Sequence, residues 1–174
     1  DVAGGKGFAA AFGRSIFVSC VSAVLTTALA FVLAYTIHYT NVPGGLKKFI
    51  RLAAVVPMLL PTITYGFAII YSFGRQGFIT GMIGHQMFEI YGFYGLLLGY
   101  VIYTLPISFM LILNTMSFID KKFMIVSRIM GDSPLKTFLG TVIRPLLGTL
   151  AASFVQCFFL CFTDFGIPAS VGGQ

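Results

Sequence analysis

The chain has 174 residues, 57% hydrophobic and only 9% charged, whereas charged residues make up about a quarter of an ordinary soluble domain. That balance excludes a water-solvated globule and makes lipid the expected solvent. The net charge of +6 does not point to nucleic acid, because the basic residues fall in short segments between apolar runs rather than on one polar face, as membrane topology requires.

Nineteen Phe and eight Tyr suit lipid-facing and interfacial positions, and with no Trp the tyrosines must supply the interfacial anchors. Residues 1–11 lack the charged, apolar, small order of a cleavable signal. Without a starting Met, and ending on Gly172, Gly173 and Gln174, the sequence reads as one transmembrane domain over 1–174 that is incomplete at both ends.

Four apolar runs, 15–39, 52–73, 93–117 and 146–169, reach the length of about 20 helical residues that a bilayer demands. They are too long and too continuous for barrel strands, so the fold class is all-α, a polytopic transmembrane helical bundle with four spans.

The first run carries two rows of small residues at four-residue spacing: Ser15, Ser19, Ala23, Thr27, and Ser22, Thr26, Ala30, Ala34. Such rows let backbones approach closely in lipid, which predicts a packed helix. His38 lies at its end and reads as interfacial rather than as a ligand, as does His85 further on. The connection 40–51 holds Lys47, Lys48 and Arg51 and no acid.

Pro57 and Pro61 open the second run, and Pro106 sits inside the third; each removes a donor and crowds the preceding turn, so kinks are expected. Between these runs, 74–92 is Gly-rich, with Phe78, Ile79, Met82 and Ile83 spaced as a short amphipathic helix lying on the surface or folding toward a vestibule. Lys121, Lys122, Arg128, Lys136 and Arg144 follow the third run. With the three of 40–51 they make eight basic residues against Lys6, Arg14 and Arg75 elsewhere, which places both connections in the cytoplasm and both ends of this piece outside.

Within the fourth run, Cys157 and Cys161 share a face; without a His or carboxylate at ligand spacing they read as small buried side chains rather than a metal pair. Asp164 is the one carboxylate in a predicted span, at an insertion cost of about 2.5 to 3.5 kcal/mol. It must face the bundle interior, water or a partner, either as a pathway or gating group or as a structural cap. With Phe165, Gly166, Ile167 and Pro168 it marks a helix break. Gln156, two turns earlier on a similar face, and Asn114 are further candidates for a translocation path.

No catalytic constellation is visible, and Gly4, Gly5, Lys6, Gly7 fit neither the spacing nor the final hydroxyl of a phosphate-binding loop. Hydrolysis of ATP by this chain itself is therefore not expected. The informative segment is 118–145. Phe123, Val126 and Met130, with Ile125 and Ile129 beside them, form an apolar helical stripe bordered by Lys121, Lys122 and Arg128. Gly131 suits a left-handed helix end, and Ser133 with Pro134 reads as the N-cap and first residue of a second helix. An exposed apolar helix of this kind calls for a receiving groove.

The run from Ser127 through Arg128, Met130, Gly131, Asp132, Ser133, Pro134 and Leu135 to Phe138, followed by Pro145, Leu146 and Leu147, resembles the EAA loop of type I ABC importer permeases. Over 52–77, Val56-Pro57, Pro61-Thr62 and Phe73-Gly74 are similar to that family's second core helix and the turn after it. The segment 161–173 is similar to permeases of the ferric-iron, aminoethylphosphonate and polyamine-like subgroup.

Two departures stand out. Ile125, Val126 and Ser127 replace the Glu-Ala-Ala that names the loop, leaving apolar docking and basic residues for the contact, and Pro145 comes one residue later than the usual spacing.

The resemblance implies a permease subunit of an ATP-driven importer in the bacterial inner membrane, with 118–145 as its coupling loop. Phe123, Val126, Ser127, Met130, Gly131, Asp132, Ser133 and Pro134 would meet the ATPase. The implied partners are ABC ATPase subunits, a second permease copy or homologue, an extracytoplasmic solute-binding protein and membrane lipid. This chain would bind no cofactor, ATP and Mg being used by the ATPase. The rival readings are a channel or scaffold not driven by ATP, and an intramembrane enzyme, which would need paired acids, Ser/His or metal ligands at membrane depth where only Asp164 is available.

Overall fold

The computed structural model describes residues 6–85 and 90–171. Glycines 4, 5, 172 and 173, and residues 86–89 of the Gly-rich segment 74–92, lie outside these. Among the described residues the chain is helical, without strands: α1 (Lys6–Tyr39), α2 (Gly44–Val55), α3 (Thr62–Phe73), α4 (Phe78–Ile83), α5 (Phe93–Ser117), α6 (Lys122–Ile129), α7 (Pro134–Phe138), α8 (Arg144–Thr163) and α9 (Gly166–Val171). Three helical stretches, Gly7–Tyr39, Phe93–Ser117 and Pro134–Thr163, are long and apolar enough to cross a membrane, and a bent pair supplies a fourth candidate.

That bent pair corrects the second predicted span. Instead of one kinked helix over 52–73, α2 tightens into a 3₁₀ turn at Val56–Leu59, breaks, and restarts as α3, the path bending by 113° between Gly44–Leu59 and Thr62–Ile83. Pro61 is the cause: it disfavours helical backbone at the residue before it, and Leu60 is extended (φ −101°, ψ 142°). The Tyr65 hydroxyl donates to the Pro57 carbonyl and ties the restarted helix back across the break.

The helix that carries the fourth span also differs from expectation: it begins at Pro134, ahead of the apolar run that starts at 146. It runs through one wide π turn at Leu139–Ile143, where the Arg144 amide donates five residues back to the Leu139 carbonyl. A π turn takes up one residue more than an α turn. It ends two residues before Pro145, which has no amide to donate and would crowd an ordinary turn before it.

Helices α1 and α5 run parallel, as the pairs Phe17 with Phe93 and Thr26 with Thr104 show, and α8 runs antiparallel to both. The small-residue rows of α1 form its packed side: Ser19, Ser22, Ala23, Thr26, Ala30 and Ala34 are buried, Thr27 is half-buried and Ser15 is exposed.

A polar seam crosses the three-helix centre. Thr26 and Thr104 share a hydrogen bond at 3.0 Å, Ser153 donates to Ser108 at 2.9 Å, and Ser108 contacts the Cys157 sulfur at 2.7 Å. In lipid such bonds hold helices that no hydrophobic effect drives together.

Two apolar cores lie above and below the seam. One gathers Ala34, Ile37, Ala54, Phe109, Met116, Val142 and Leu146; the other gathers Val18, Tyr65, Ile69, Tyr100, Cys161, Ile167 and Val171. In the second, α3 lies against α9. A Cβ on Gly66 would collide with Ser170, and one on Gly166 with Thr62, so this contact requires glycine at both positions. The basic connections meet at the end of the first core, where the Lys121 ammonium stands 5.9 Å above the Tyr39 ring. His38 packs edge-on to the same ring at 4.6 Å.

Candidate functional site

The loop 118–145 forms the predicted helix, sharp turn and helix. Helix α6 ends in a Schellman closure: the Gly131 amide donates to the Arg128 carbonyl at 3.1 Å and the Asp132 amide to the Ser127 carbonyl at 3.2 Å. The closure needs a left-handed residue after Met130, and Gly131 supplies it at φ +84°. Ser133 then caps α7, its hydroxyl accepting from the Lys136 amide at 3.3 Å, with Pro134 as the first helical residue.

Side chains brace this turn. Ser127 Oγ donates to Asp132 Oδ2 at 2.8 Å and lies 3.0 Å from the Thr137 hydroxyl, while Lys136 Nζ reaches Asp132 Oδ1 at 2.5 Å. The Lys136 ammonium, then the Ser127 hydroxyl, hold the Asp132 carboxyl below the usual carboxylate range.

Of the residues expected to meet an ATPase, the structure sorts two groups. Phe123, Val126 and Met130 are exposed, as are Ile125 and Ile129, the last at 79%. Ser127 and Asp132 spend their polar atoms inside the loop, and Gly131, Ser133 and Pro134 set its geometry. Sequence reasoning missed Leu135, which extends the apolar patch onto α7 and is 67% exposed. Its signal was present, since Leu135 directly follows the Ser133-Pro134 cap, in the first turn of the second helix beside the apolar stripe.

The path candidates do not form one cluster. Asn114 and Gln156 line a groove of about 720 Å³ between α2, α5 and α8, with Arg51, Met58, Met110 and Ser117. Asp164 lies elsewhere, in a hollow of about 400 Å³ with Arg14, Ser15, Ser19 and Tyr100. The similar face expected for Gln156 and Asp164 does not survive: eight residues leave them about 80° apart around a helix, and α8 ends at Thr163, with Asp164 extended (ψ 140°). Asp164 Oδ2 accepts from the Ile167 amide at 2.9 Å, a capping bond to the first turn of α9.

Cys157 and Cys161 are buried, and His85 is exposed beyond α4. Arg51, which the sequence offered only as a topology marker, is the one charged residue lining the groove among the described residues.

No family model matches the sequence. Among curated proteins, the chain is 29% identical over 163 residues to the thiamine transport system permease protein ThiP of Salmonella typhimurium, covering 91% of this chain and 30% of that protein. It is 26% identical over 166 residues to the "Probable sulfate transport system permease protein cysT" of Helicosporidium sp., covering 95% and 61%. It is 24% identical over 168 residues to the ferric transport system permease protein FbpB of Actinobacillus pleuropneumoniae, covering 92% and 24%.

The chain thus spans between about a quarter and three-fifths of the length of these relatives. They are permease proteins of transport systems, in agreement with the resemblance carried by 127–147 and with a type I ABC importer permease of the ferric-iron-like subgroup.

Proposed function

We propose that the chain is the solute-conducting part of a permease subunit in an ATP-driven importer of the cytoplasmic membrane. The observation that carries this reading is the braced loop: a helix of eight residues, fixed by a Schellman turn to a capped second helix, holding apolar side chains in the open at the basic end of the bundle. A docked ATPase groove would cover that stripe. Because α7 continues through the π turn into α8, a push on α6 would reach the span directly, as rigid elements in a two-state transporter require.

In this reading a second permease copy or homologue closes the groove lined by Asn114 and Gln156, and an extracytoplasmic binding protein delivers solute to the opposite end. Both ends of the described piece face outward, with Lys47, Lys48, Lys121 and Lys122 in the cytoplasm. The test is purification of the full-length protein with its ATPase. Ile129→Asp and Met130→Asp together are expected to release the ATPase while membrane insertion persists; ATPase retained at wild-type level would remove the coupling assignment.

A further inference from the structure

The groove between α2, α5 and α8 has a sign. Among the described residues its lining holds one charged residue, Arg51, and no carboxylate; the other polar residues are the neutral Asn114, Ser117 and Gln156, all exposed. The remaining walls are apolar, including Met58, Met110 and Leu111.

Arg51 on α2 and Met58 in the 3₁₀ turn that continues it both line the groove. Among the described residues the ion pair joins Lys136 to Asp132 in the distant loop, and no described carboxylate lines the groove beside Arg51. Lys47 and Lys48, one turn earlier on α2, add charge of the same sign.

An unpaired guanidinium between low-dielectric walls focuses a positive field along the groove, concentrating anions and repelling cations. Its planar fork of donors matches a carboxylate or oxyanion, and the amides of Asn114 and Gln156 can donate to the same groups further in. We propose that this groove conducts small anionic solutes, carboxylates or oxyanions, with Arg51, at the basic end of the bundle, as the residue that sets the sign of what passes through. The proposal rests on the groove being the solute path.

The test uses the full-length protein with its partners in membrane vesicles and needs no knowledge of the solute. Cysteine is placed at Asn114 or Gln156 and reacted with two methanethiosulfonates of similar size, the ethylsulfonate anion and the ethyltrimethylammonium cation. Each rate is divided by that of the same reagent with a free small thiol, after subtracting the reaction of protein without the added cysteine.

The normalised rates are expected to favour the anion by about tenfold at low salt, the lower end of such focusing, and the preference should shrink as salt rises. Arg51→Lys should keep it. Arg51→Gln should bring the ratio to near one, and Arg51→Glu should reverse it.

Equal or cation-favouring rates with Arg51 in place would overturn the proposal and leave the path reading standing, since the groove would still be wet. A preference unchanged in both Arg51→Gln and Arg51→Glu would remove the role of Arg51. Failure of both reagents at both positions would overturn the path reading with it.

Discussion

The Ser127 hydroxyl donates to the Asp132 carboxylate at 2.8 Å across the Gly131 turn, so the end of α6 and the start of α7 share one acceptor. Lys136 takes the other oxygen of that carboxylate, and the pair holds the Asp132 pKa below its ordinary value of 3.8. A group whose folded pKa is depressed stabilises the fold above the ordinary value and loses that contribution as pH falls through the lowered one. Amide exchange protection of 127–137, corrected for intrinsic rates, should therefore be constant between pH 5 and 7 (about one to three units above that value) and weaken below 3.8. In Asp132→Ala the acid step should vanish; its persistence would show that another group controls the turn.

Ser108 joins α5 to α8 through Ser153 and Cys157. Ser108→Ala should lower stability in detergent by about 0.6 kcal/mol and at most about 1.7, the range measured for interhelical hydrogen bonds in membranes. Denaturant titration of wild type and variant measures it, and no loss at all would mean that Ser153 finds another partner in the seam.

The first helix, the Gly131 turn and the Ser133 cap were legible because each is written locally: small residues every fourth position, glycine after an apolar stripe, and Ser-Pro ahead of a helix. Three things were not. Pro61 announced a disturbance, but whether a proline kinks a span or splits it depends on what the freed backbone packs against, here α9 at Gly66 and Gly166. The start of the fourth span's helix at Pro134 was hidden because the basic residues Lys136 and Arg144 read as a loop, while a helix can begin outside the membrane before it enters it. The groove was invisible, since Arg51 and Asn114 are 63 positions apart and only tertiary packing brings their helices side by side.

Cysteines introduced at Lys48 and Lys122 should react with impermeant thiol reagents from the same side, because both basic connections lie at one end of the bundle. One at Gln76 should react from the other side. The positive-inside rule makes the first side cytoplasmic. Labelling of Lys48→Cys and Gln76→Cys from one side would mean that the bent pair α2 and α3 is re-entrant and does not cross.

Asp164 caps α9 through the Ile167 amide, and asparagine is as good a cap as aspartate, whereas alanine costs about 1 kcal/mol. If capping is its main task, Asp164→Asn should transport at near the wild-type rate and Asp164→Ala should be destabilised by about that amount. A transport loss in Asp164→Asn with unchanged melting would instead place the charge on the solute path.

Gly131 offers the sharpest test of the loop, because a Cβ added there meets no atom within 4 Å. Any effect of substitution must then come from the backbone at φ +84° rather than from a clash. An L-residue pays about 1 to 2 kcal/mol to occupy the left-handed region, and a β-branched one pays more; asparagine visits it with local support from its side chain. Gly131→Val should therefore open the Schellman closure, tilt α6 away from α7 and lower ATPase binding and solute uptake together, while Gly131→Asn keeps most of both. All four spans should insert in both variants, since the change lies outside the apolar runs. If Gly131→Val couples ATP hydrolysis to uptake as wild type does, the helix pair at 122–138 is not the element that transmits the push.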